Sequence, residues 1–573
     1  MRTFGPSTQS AHDAMRARIA AAVEGAVPGA QVTTVRDYTH ALDGFAIEAP
    51  ASALPAIQQV EGVKAAFIEG THKPMETAAE GSGAPVLANA SSLAMTRANQ
   101  TTQKGDGQVI EVIDSGLQTD HDAFSGSMDG VDVRMSQADA QALAGTLPHG
   151  SAGTYINSKI PFAYDYADND ANVVPTSTKD MSHGTHVAAI AAANGGEVRG
   201  TAPNAQIIVA KVARSVEGDI TDSGLLSALD DMVVLHPDVV NLSLGQDAGM
   251  DNAADSLYAG VFETLQDKGI IVDVAAGNAF SSGYGNASGK NLPYASDPDS
   301  STLDEPASYA PVVAVASLDN VLQANGFKAA GRDVAYQRAR AENGDKIADI
   351  AELPAGDYEY VDGGIASEED VKALKEKYPD GLAGKIALVS RGKMTYQKKV
   401  ENLYDLHPAG VLVYNNVSVG SLIIMNLTTQ DVPAAFISQA DGQAMLAAAD
   451  HHLTIAEGQV LPQSMTYEAS EFSSWGVSPD LRLKPEIAAP GGNVFSAIPN
   501  GAYEQTSGTS MATPQMAGIS AIVLQRVQSD PMFASMSARQ KADVVQNLIM
   551  GTARPLTDAA QTSGALYSPR KQG

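Results

Sequence analysis

From Gly107 onward, the sequence alternates short apolar runs of strand-forming residues with stretches typical of helices. In chain order these segments are VIEVID, HVAAIAAAN, QIIVAKV, LLSALDDMVV, DVVNLSLG and IIVDVAAG. Strands that alternate with helices of this length favour a parallel sheet covered on both faces. The predicted fold class is therefore α/β, with a doubly wound and mainly parallel sheet. In such a sheet, functional side chains gather at the carboxyl ends of strands and the amino ends of helices.

The alternation breaks off after Asn320 and resumes near Glu471. The sequence in between has strands and helices of its own, in GKIALVSRG, YQKKVENLYDLH, AGVLVYNN, VPAAFIS and DGQAMLAAAD. This pattern indicates a second domain inserted into the first. We place the two parts of the doubly wound domain at residues 99–320 and 469–573, and the insert with its flanks at residues 321–468.

Residues 1–76 predict a small α+β unit. The expected helices span 9–24 and 51–60, and the expected strands span 32–35, 43–48 and 63–67. Residues 77–98 are rich in small and polar side chains and have the composition of an exposed linker. A proteolytic cut would be tolerated in that linker.

Composition excludes several classes of function. The 66 Asp and Glu residues outnumber the 37 Lys and Arg residues, so the formal net charge of −29 disfavours binding to nucleic acid or to an anionic membrane. No apolar run approaches the roughly 18 residues that would span a bilayer. The chain has no cysteine, which excludes disulfides, thiolate catalysis and cysteine metal sites. The N-terminus lacks the apolar core of a secretory signal and the sequence stops abruptly at Gly573, so we expect a segment of a longer protein.

Two of the candidate functional residues are an aspartate and a histidine. Asp114 ends the apolar run VIEVID, where a buried carboxylate can orient an imidazole, although an aspartate there is more often a turn or cap residue. His183 lies near the start of a helix in SHGTHVAAIAAA, and His186 follows one turn later. Taken alone, such a pair is typical of a core histidine or a partial metal site. Because the HExxH motif is absent, the sequence disfavours a metalloprotease, and we predict no metal ligand set.

Two further candidates are an asparagine and a serine. Asn278 ends the run DVAAGN, where small neighbours let its amide reach into a cleft, although a cap is its more common role. Ser510, in TSGTSMATP, comes just before a predicted helix that carries Pro514 in its first turn. A serine at that point has its hydroxyl and its backbone N–H at the positive end of the helix dipole. This position suits a nucleophile that faces a developing oxyanion.

These four signals are ambiguous singly but agree jointly, because Asp, His and Ser follow one another in the order of subtilisin-type sites. With VIDSG, SHGTHVA, AAGN and GTSMATP, the sequence resembles the subtilase family of serine endopeptidases over nearly its whole length. The resemblance implies that Asp114 orients the base and that His183 is the general base and acid. It also implies that Ser510 is the nucleophile and that Asn278 donates to the oxyanion. These steps require no cofactor.

The resemblance also assigns a substrate-binding segment, formed by Ser243, Leu244 and Gly245. In the family, this segment pairs with an extended peptide, which implies a protein or peptide as the substrate. A buried core strand is the alternative interpretation, and the apolar residues just before this segment fit it.

Other segments resemble accessory parts of the family. The insert resembles a protease-associated domain through GKIALVSRG, the helix that follows, and AGVLVYNN. The first unit resembles a subtilase propeptide through YTHALDGFAIEAP, and such propeptides act as folding chaperones and inhibitors. The arrangement is most like the cell-envelope proteinases of lactic acid bacteria and the related complement-anaphylatoxin peptidases. It implies a secreted or cell-wall-associated enzyme, made as an autoprocessed zymogen with its own propeptide as a partner. We expect the chain to cut itself between about Thr71 and Ser92.

Calcium binding is where the sequence departs from the family. Many subtilases carry a calcium-binding Asp nine residues after the catalytic Asp, and here that position is Ala123. A second stretch imitates the start of an EF-hand loop with Asp168, Asp170 and Asn172. Val173 and Lys179 then replace the glycine and glutamate that such a loop needs. We expect a solvated loop there, and the same for the acidic run Asp297, Asp299, Asp304 and Glu305.

Two questions stay open from the sequence. An inactive binding protein could use the same scaffold for adhesion, although the presence of all four chemical residues argues against it. Within the peptidase interpretation, the residues do not separate a broad nutritional proteinase from a narrow cleaver of one host peptide.

Overall fold

The computed structural model describes most of the chain. The described residues are 6–74, 92–175, 182–216, 218–246, 253–279, 303–320, 323–341, 348, 350–416, 425–427, 432–456, 460–462, 468–470, 472–556, 566 and 568–572. Most of the predicted linker 77–98 lies outside them, as do Lys179, Asp297 and Asp299.

A parallel sheet of seven strands forms the centre of the described chain. The strands are β1 (Val109–Asp114), β2 (Phe162–Asp165), β3 (Gln206–Lys211), β4 (Val239–Leu242), β5 (Ile271–Ala275), β6 (Val313–Asp319) and β7 (Ile487–Gly492). Their order across the sheet is β7-β6-β5-β4-β1-β3-β2, and all neighbouring pairs are parallel. After β1 the chain forms the edge strand β2, returns to β3 beside β1, and then crosses to the other side, where β4 to β7 follow one another outward. Strands on both sides of β1 confirm the predicted doubly wound α/β class.

Helices cover both faces of this sheet. They are α1 (His183–Ala192), α2 (Asp222–Leu235), α3 (Ala253–Asp267), α4 (Thr509–Ser529) and α5 (Ala538–Thr552). Ile113 of β1 packs into one core with α2 and α3, whereas Ile110 and Val112 pack into the other core with α1, α4 and α5. Because the strands are buried on both faces, their sequences are almost continuously apolar. No helix in the described part of the chain is long and apolar enough to cross a membrane.

Shorter elements complete this domain. They are the helices Gln137–Ala144 and Pro569–Gln572, the antiparallel pair Val494–Ile498 and Ala502–Thr506, and the two-residue strands Ile220–Thr221 and Leu244–Gly245. Both two-residue strands lie at the edge of a groove that is described with the site below.

The N-terminal unit is smaller and has its own core. It contains the helix Pro6–Ala26, the antiparallel strands Thr33–Tyr38 and Gly44–Glu48, and two helical turns, Ala51–Ala53 and Leu54–Gln58. Its core is built from Ile19, Val23, Ala53 and Ile57.

The predicted strand over 63–67 is wrong, because these residues are irregular in the structure. Their burial does not alternate as it would in a strand with one buried face. The carbonyl of Ala66 accepts a hydrogen bond from the side chain of Gln58 at 2.9 Å. The chain instead forms a strand a few residues later, at Thr71–Pro74.

The N-terminal unit docks on helix α2. The hydroxyl of Tyr38 donates to the carbonyl of Ser223 at 3.1 Å. The buried carboxylate of Asp230 accepts hydrogen bonds from three successive backbone N–H groups, at 2.5 to 3.1 Å. These N–H groups belong to Thr39, His40 and Ala41. Burial alone would raise the pKa of Asp230, but hydrogen bonds from His149, His40 and these N–H groups outweigh it and lower that pKa.

The insert has a sheet and cores of its own. Its described strands, in the order of the sheet, are Met425–Leu427, Arg332–Ala341, Ala434–Ile437, Gly410–Tyr414, Ile386–Ser390, Gly356–Asp362, His452–Ile455, Gln323–Ala329 and Val460–Pro462. Because Gln323–Ala329 also pairs with Arg332–Ala341, the sheet closes on itself. Its helices are Glu368–Lys377, Tyr396–Tyr404 and Gln439–Ala447.

Both ends of the insert meet at the end of β6. The backbone N–H of Asp319 donates to the carbonyl of Glu468, and that of Ser470 donates to the carbonyl of Ser317, each at 2.9 Å. Leu318 and Ala469 form an antiparallel bridge between them. The insert therefore leaves and rejoins the central domain at a single place.

Candidate active site

The candidate residues meet at the carboxyl edge of the central sheet. Asp114 ends β1, and Ser243 directly follows the neighbouring strand β4. Nδ1 of His183, at the start of α1, lies 2.8 Å and 3.0 Å from the two carboxylate oxygens of Asp114. Both side chains are buried. A carboxylate in this position holds the imidazole in one orientation and favours the tautomer that carries its proton on Nδ1.

The glycine in SHGTH lets α1 approach β1 this closely. A Cβ atom at Gly184 would lie 2.2 Å from the carbonyl oxygen of Gly116 and 3.1 Å from the carboxylate of Asp114. The N–H of Gly184 donates to the hydroxyl of Ser115 at 3.0 Å, which joins the start of the helix to the end of the strand. Any larger residue at this position would push His183 away from Asp114.

Ser510 is tied to Ser243 by two hydrogen bonds. The hydroxyl of Ser510 donates to the carbonyl of Ser243, and the hydroxyl of Ser243 donates to the carbonyl of Ser510, each at 2.9 Å. The helix α4 begins at Thr509, so Pro514 lies in its second turn rather than in the predicted first turn. Because proline has no N–H, the carbonyl of Ser510 has no partner four residues later in the helix. Ser243 satisfies that carbonyl instead.

The amide of Asn278 has a defined orientation. Its Oδ1 atom accepts hydrogen bonds from the backbone N–H and the hydroxyl of Thr509, both at 3.0 Å. A backbone N–H can only donate, so the oxygen must face Thr509 and the NH₂ group must face the other way. The preceding Gly277 has φ +110°, and a Cβ atom there would lie 2.5 Å from the carboxylate carbon of Asp304.

The family model that describes the subtilase family matches residues 105–573. The chain belongs to the subtilase family. This subtilase is 29% identical over 592 aligned residues to the PII-type proteinase of Lactococcus lactis subsp. cremoris, which covers 98% of this chain and 29% of that protein. It is 31% identical over 486 residues to the C5a peptidase of Streptococcus pyogenes serotype M6, which covers 82% of this chain and 38% of that protein. The chain thus spans less than half the length of either relative.

A solved structure shows a weaker likeness. It is a psychrophilic subtilisin-like protease from the Antarctic psychrotroph Pseudoalteromonas sp. AS-11, with a TM-score of 0.43 and 19% identity. The likeness covers 84% of this subtilase and 96% of that chain. A TM-score of this size does not establish a shared fold, so the fold of this subtilase rests on its own sheet topology and on the family match.

The predicted substrate-binding segment of this subtilase lies at the edge of a groove. Ser243, Leu244 and Gly245 are buried, and Leu244–Gly245 forms a short strand. The strand Thr71–Pro74 lies between this strand and Ile220–Thr221, and it runs antiparallel to both. A segment of the N-terminal unit therefore has the geometry of an extended peptide bound between two edges.

The second histidine of the HxxH motif is a core residue. His186 is buried, and its Nε2 atom bonds to the carbonyl of Glu504 at 3.1 Å. Burial lowers the pKa of His186 to about 3. The structure thus assigns the two histidines of the motif to different surroundings.

The residues at the family's calcium position and in the EF-hand-like loop make contacts within the chain. Ala123 is buried, and its carbonyl accepts hydrogen bonds from the N–H groups of Asn194 and Gly195. The side chain of Asp168 accepts from the ammonium group of Lys211 at 3.0 Å, so a cation of the chain itself already contacts it. The described residues contain no group of three or more His, Cys, Asp or Glu side chains arranged to hold a metal ion.

The expectation of a solvated acidic run is wrong for its two described members. Asp304 and Glu305 are buried. The N–H of Asp304 donates to the carbonyl of Ala276 at 3.0 Å, and Glu305 exchanges two backbone hydrogen bonds with Gln246. These bonds hold both residues beneath the groove. Asp170 and Asn172 of the EF-hand-like loop are exposed, as expected.

Three positioning features were not predicted from the sequence. Thr509 fixes the amide of Asn278, and Pro514 leaves the carbonyl of Ser510 to Ser243. Both lie within the motif GTSMATP, but only the tertiary contacts show what they do. The groove strand Thr71–Pro74 was missed because THKP has neither the alternation nor the β-branched content of a strand.

Proposed function

We propose that this chain is a subtilisin-type serine endopeptidase, with Asp114, His183 and Ser510 as its catalytic triad and Asn278 as its oxyanion donor. The observation that carries the proposal is the buried pair of Asp114 and His183, beside a serine at the start of a helix. The family match supports it. The substrate class is protein or peptide, because the groove accepts an extended backbone.

The proposed chemistry is acyl transfer through this chain's own residues. The Ser510 hydroxyl turns from the carbonyl of Ser243 towards Nε2 of His183, which takes its proton as the oxygen attacks the scissile carbonyl. The amide of Asn278 and the backbone N–H of Ser510 donate to the oxyanion. His183 then protonates the leaving amine, and water releases the acyl group from Ser510. Asp114 stabilises the imidazolium that forms on the way.

We also propose that residues 1–76 act as an inhibitory propeptide that the enzyme removes itself. Lys73 pairs with Gly245 and Pro74 pairs with Leu244. Ser243 precedes Leu244, and its carbonyl accepts the hydroxyl of Ser510. An extended peptide that continued this register by one residue would reach Ser510, so we propose cleavage after Met75, within the expected range from Thr71 to Ser92. Met75 itself lies outside the described residues.

Two further roles are proposed from the domain arrangement and the family resemblance. The insert over 321–468 would act as a protease-associated domain that influences which substrates are accepted, because all four chemical residues lie outside it. Secretion or attachment to the cell wall would follow from the resemblance to cell-envelope proteinases.

A fluorophosphonate probe tests the catalytic proposal. The wild-type protein should be labelled, and Ser510→Ala should not be labelled. Ser520→Ala is the matched control, because Ser520 is another buried serine of α4 and its removal should leave labelling intact. Mass spectrometry after refolding should find a processed wild-type chain and a full-length Ser510→Ala chain. Labelling of Ser510→Ala, or its normal processing, would refute the assignment of the nucleophile.

A further inference from the structure

The groove strand Thr71–Pro74 directs one side chain into the body of the enzyme. Thr71 and Lys73 are exposed, whereas His72 between them is only 2% exposed. This alternation is the period of two that every strand imposes on its side chains. Any peptide that pairs with the groove in the same register would direct the equivalent side chain to the same place.

The surroundings of His72 form a polar pocket, which we call the histidine pocket and which is built from Asp222 and Tyr258. Nε2 of His72 lies 2.8 Å from Oδ1 of Asp222. The hydroxyl of Tyr258 donates to that same oxygen at 2.7 Å. The two rings meet at an interplanar angle of 79°, with their centroids 5.8 Å apart. Asp222 and Tyr258 are 6% and 3% exposed, so the pocket is closed to solvent when His72 fills it.

Both walls of the pocket belong to the central domain. Asp222 is the first residue of α2, and Tyr258 lies on α3. If the proposed propeptide leaves, His72 leaves with it, whereas Asp222 and Tyr258 remain part of the central domain. The pocket would then be available to the side chain of an incoming substrate.

The pocket distinguishes side chains by their donors. Burial would raise the pKa of Asp222, but hydrogen bonds from His72, Tyr258 and Gly70 outweigh it and lower that pKa, so the group is a carboxylate. A leucine or phenylalanine in the pocket would leave this buried charge without the donor that an imidazole N–H supplies. A lysine would bring a donor, but it has no ring to meet the ring of Tyr258.

We infer that the histidine pocket is a specificity subsite that selects histidine as the fourth residue before the cleaved bond. The inference rests on the proposed peptidase function and on the register of Lys73 opposite Gly245. It assigns a substrate preference to two residues, Asp222 and Tyr258, that touch neither the triad nor the oxyanion donor in the described contacts.

The test measures kcat/KM of the processed wild-type enzyme on a series of quenched fluorescent peptides. Each peptide carries the sequence THKPMETA, with the histidine kept or replaced by leucine, phenylalanine, glutamine or lysine. The histidine peptide should be cleaved about 10- to 100-fold more efficiently than each of the others. Equal cleavage of the leucine or lysine peptide would overturn the inference. This series needs no variant, so its result does not depend on whether a variant folds.

A variant then locates the preference in the pocket. Asp222→Asn should reduce the ratio of histidine to leucine cleavage by about 10-fold, because it removes the charge that the imidazole N–H contacts. Glu263→Gln makes the same change of charge on an exposed residue of α3 and should leave the ratio unchanged. A ratio that survives in Asp222→Asn, or falls equally in Glu263→Gln, would contradict the assignment.

The outcomes separate the two proposals. If no peptide is cleaved and the fluorophosphonate probe does not label Ser510, the peptidase function fails. If the probe labels Ser510 and all peptides are cleaved equally, the peptidase function stands and the histidine pocket does not select.

Discussion

The proposed active site and the groove each contain a buried histidine whose ring nitrogen lies 2.8 Å from an aspartate oxygen. At the proposed active site, Asp114 and His183 both belong to the central domain. In the groove, Asp222 belongs to the central domain and His72 to the N-terminal unit. The two nitrogen–oxygen distances are equal, but one pair lies within a single domain and the other joins two parts of the chain. A pair within one domain keeps a fixed orientation, whereas a pair between separable parts can recognise a partner.

The carboxylates of Asp114 and Asp222 also differ in their other hydrogen-bond donors. Asp114 accepts hydrogen bonds from His183 and from the N–H of Ser115 at 2.6 Å, and both donors remain after any cleavage of the N-terminal unit. Asp222 accepts from Tyr258 of its own domain, but also from His72 and from the N–H of Gly70 at 2.5 Å. Departure of the N-terminal unit therefore leaves Asp114 unchanged and removes two donors from Asp222.

The largest effect on activity is expected at Asp114. We expect Asp114→Asn to lower kcat by about 10⁴-fold, because an amide no longer holds the imidazole in its reactive tautomer. KM for the histidine peptide should change little, since the groove is untouched. Asp120→Asn, an exposed neighbour, serves as the control. A loss confined to KM would show that the pair of Asp114 and His183 binds substrate and does not catalyse.

The next effect concerns Asn278. Asn278→Leu should lower kcat by about 100- to 1000-fold with little change in KM, because its hydrogen bond forms mainly in the transition state. Steady-state kinetics on the histidine peptide measure both constants. A variant with normal kcat would remove Asn278 from the oxyanion site.

A smaller effect is expected where the N-terminal unit docks. Asp230→Asn replaces a carboxylate that accepts from three backbone N–H groups, so the cleaved unit should dissociate about 10-fold faster. The lag before peptidase activity appears after refolding measures this release. Asp267→Asn, an exposed aspartate whose side chain contacts Arg539, is the control. An unchanged lag would mean that the groove strand alone retains the unit.

The smallest effect is expected from removal of the insert. Replacing residues 321–468 by a short Gly/Ser bridge should change kcat/KM for the histidine peptide by less than about 3-fold, because Leu318 and Ala469 already lie side by side. Cleavage of a folded protein substrate should change more. If the folded variant no longer cleaves the small peptide, the insert belongs to the catalytic machinery.

The residues of the proposed active site and His72 also differ in how well the sequence predicts them. Asp114, His183, Asn278 and Ser510 each stand at one end of a strongly apolar or small-residue segment, so local pattern and chain order were enough to select them as candidates. His72 has no such pattern around it. Its strand exists because two edges of the central domain pair with it, and strand formation of that kind depends on tertiary context.

The remaining errors have the same physical origin. Residues 63–67 carry strand-forming side chains only at Val63 and Phe67, and the side chain of Gln58 bonds to the backbone there. Asp304 and Glu305 look like solvent-exposed residues in the sequence, yet backbone hydrogen bonds to Ala276 and Gln246 bury them. In each case the hydrogen-bond partner that decides the structure cannot be identified from the local sequence pattern.

The meeting of both ends of the insert at β6 has a consequence for the order of folding. Strands β6 and β7 must pair although Val315 and its partner Ile487 are far apart in sequence. An unfolded insert makes this a closure of roughly 170 residues, whereas a folded insert with adjoining ends shortens it to about 20, which saves about 1.8 kcal/mol of chain entropy. Early folding of the insert would thus speed the pairing of β6 with β7. A domain that contributes none of the four proposed chemical residues would in this way help the central sheet to form.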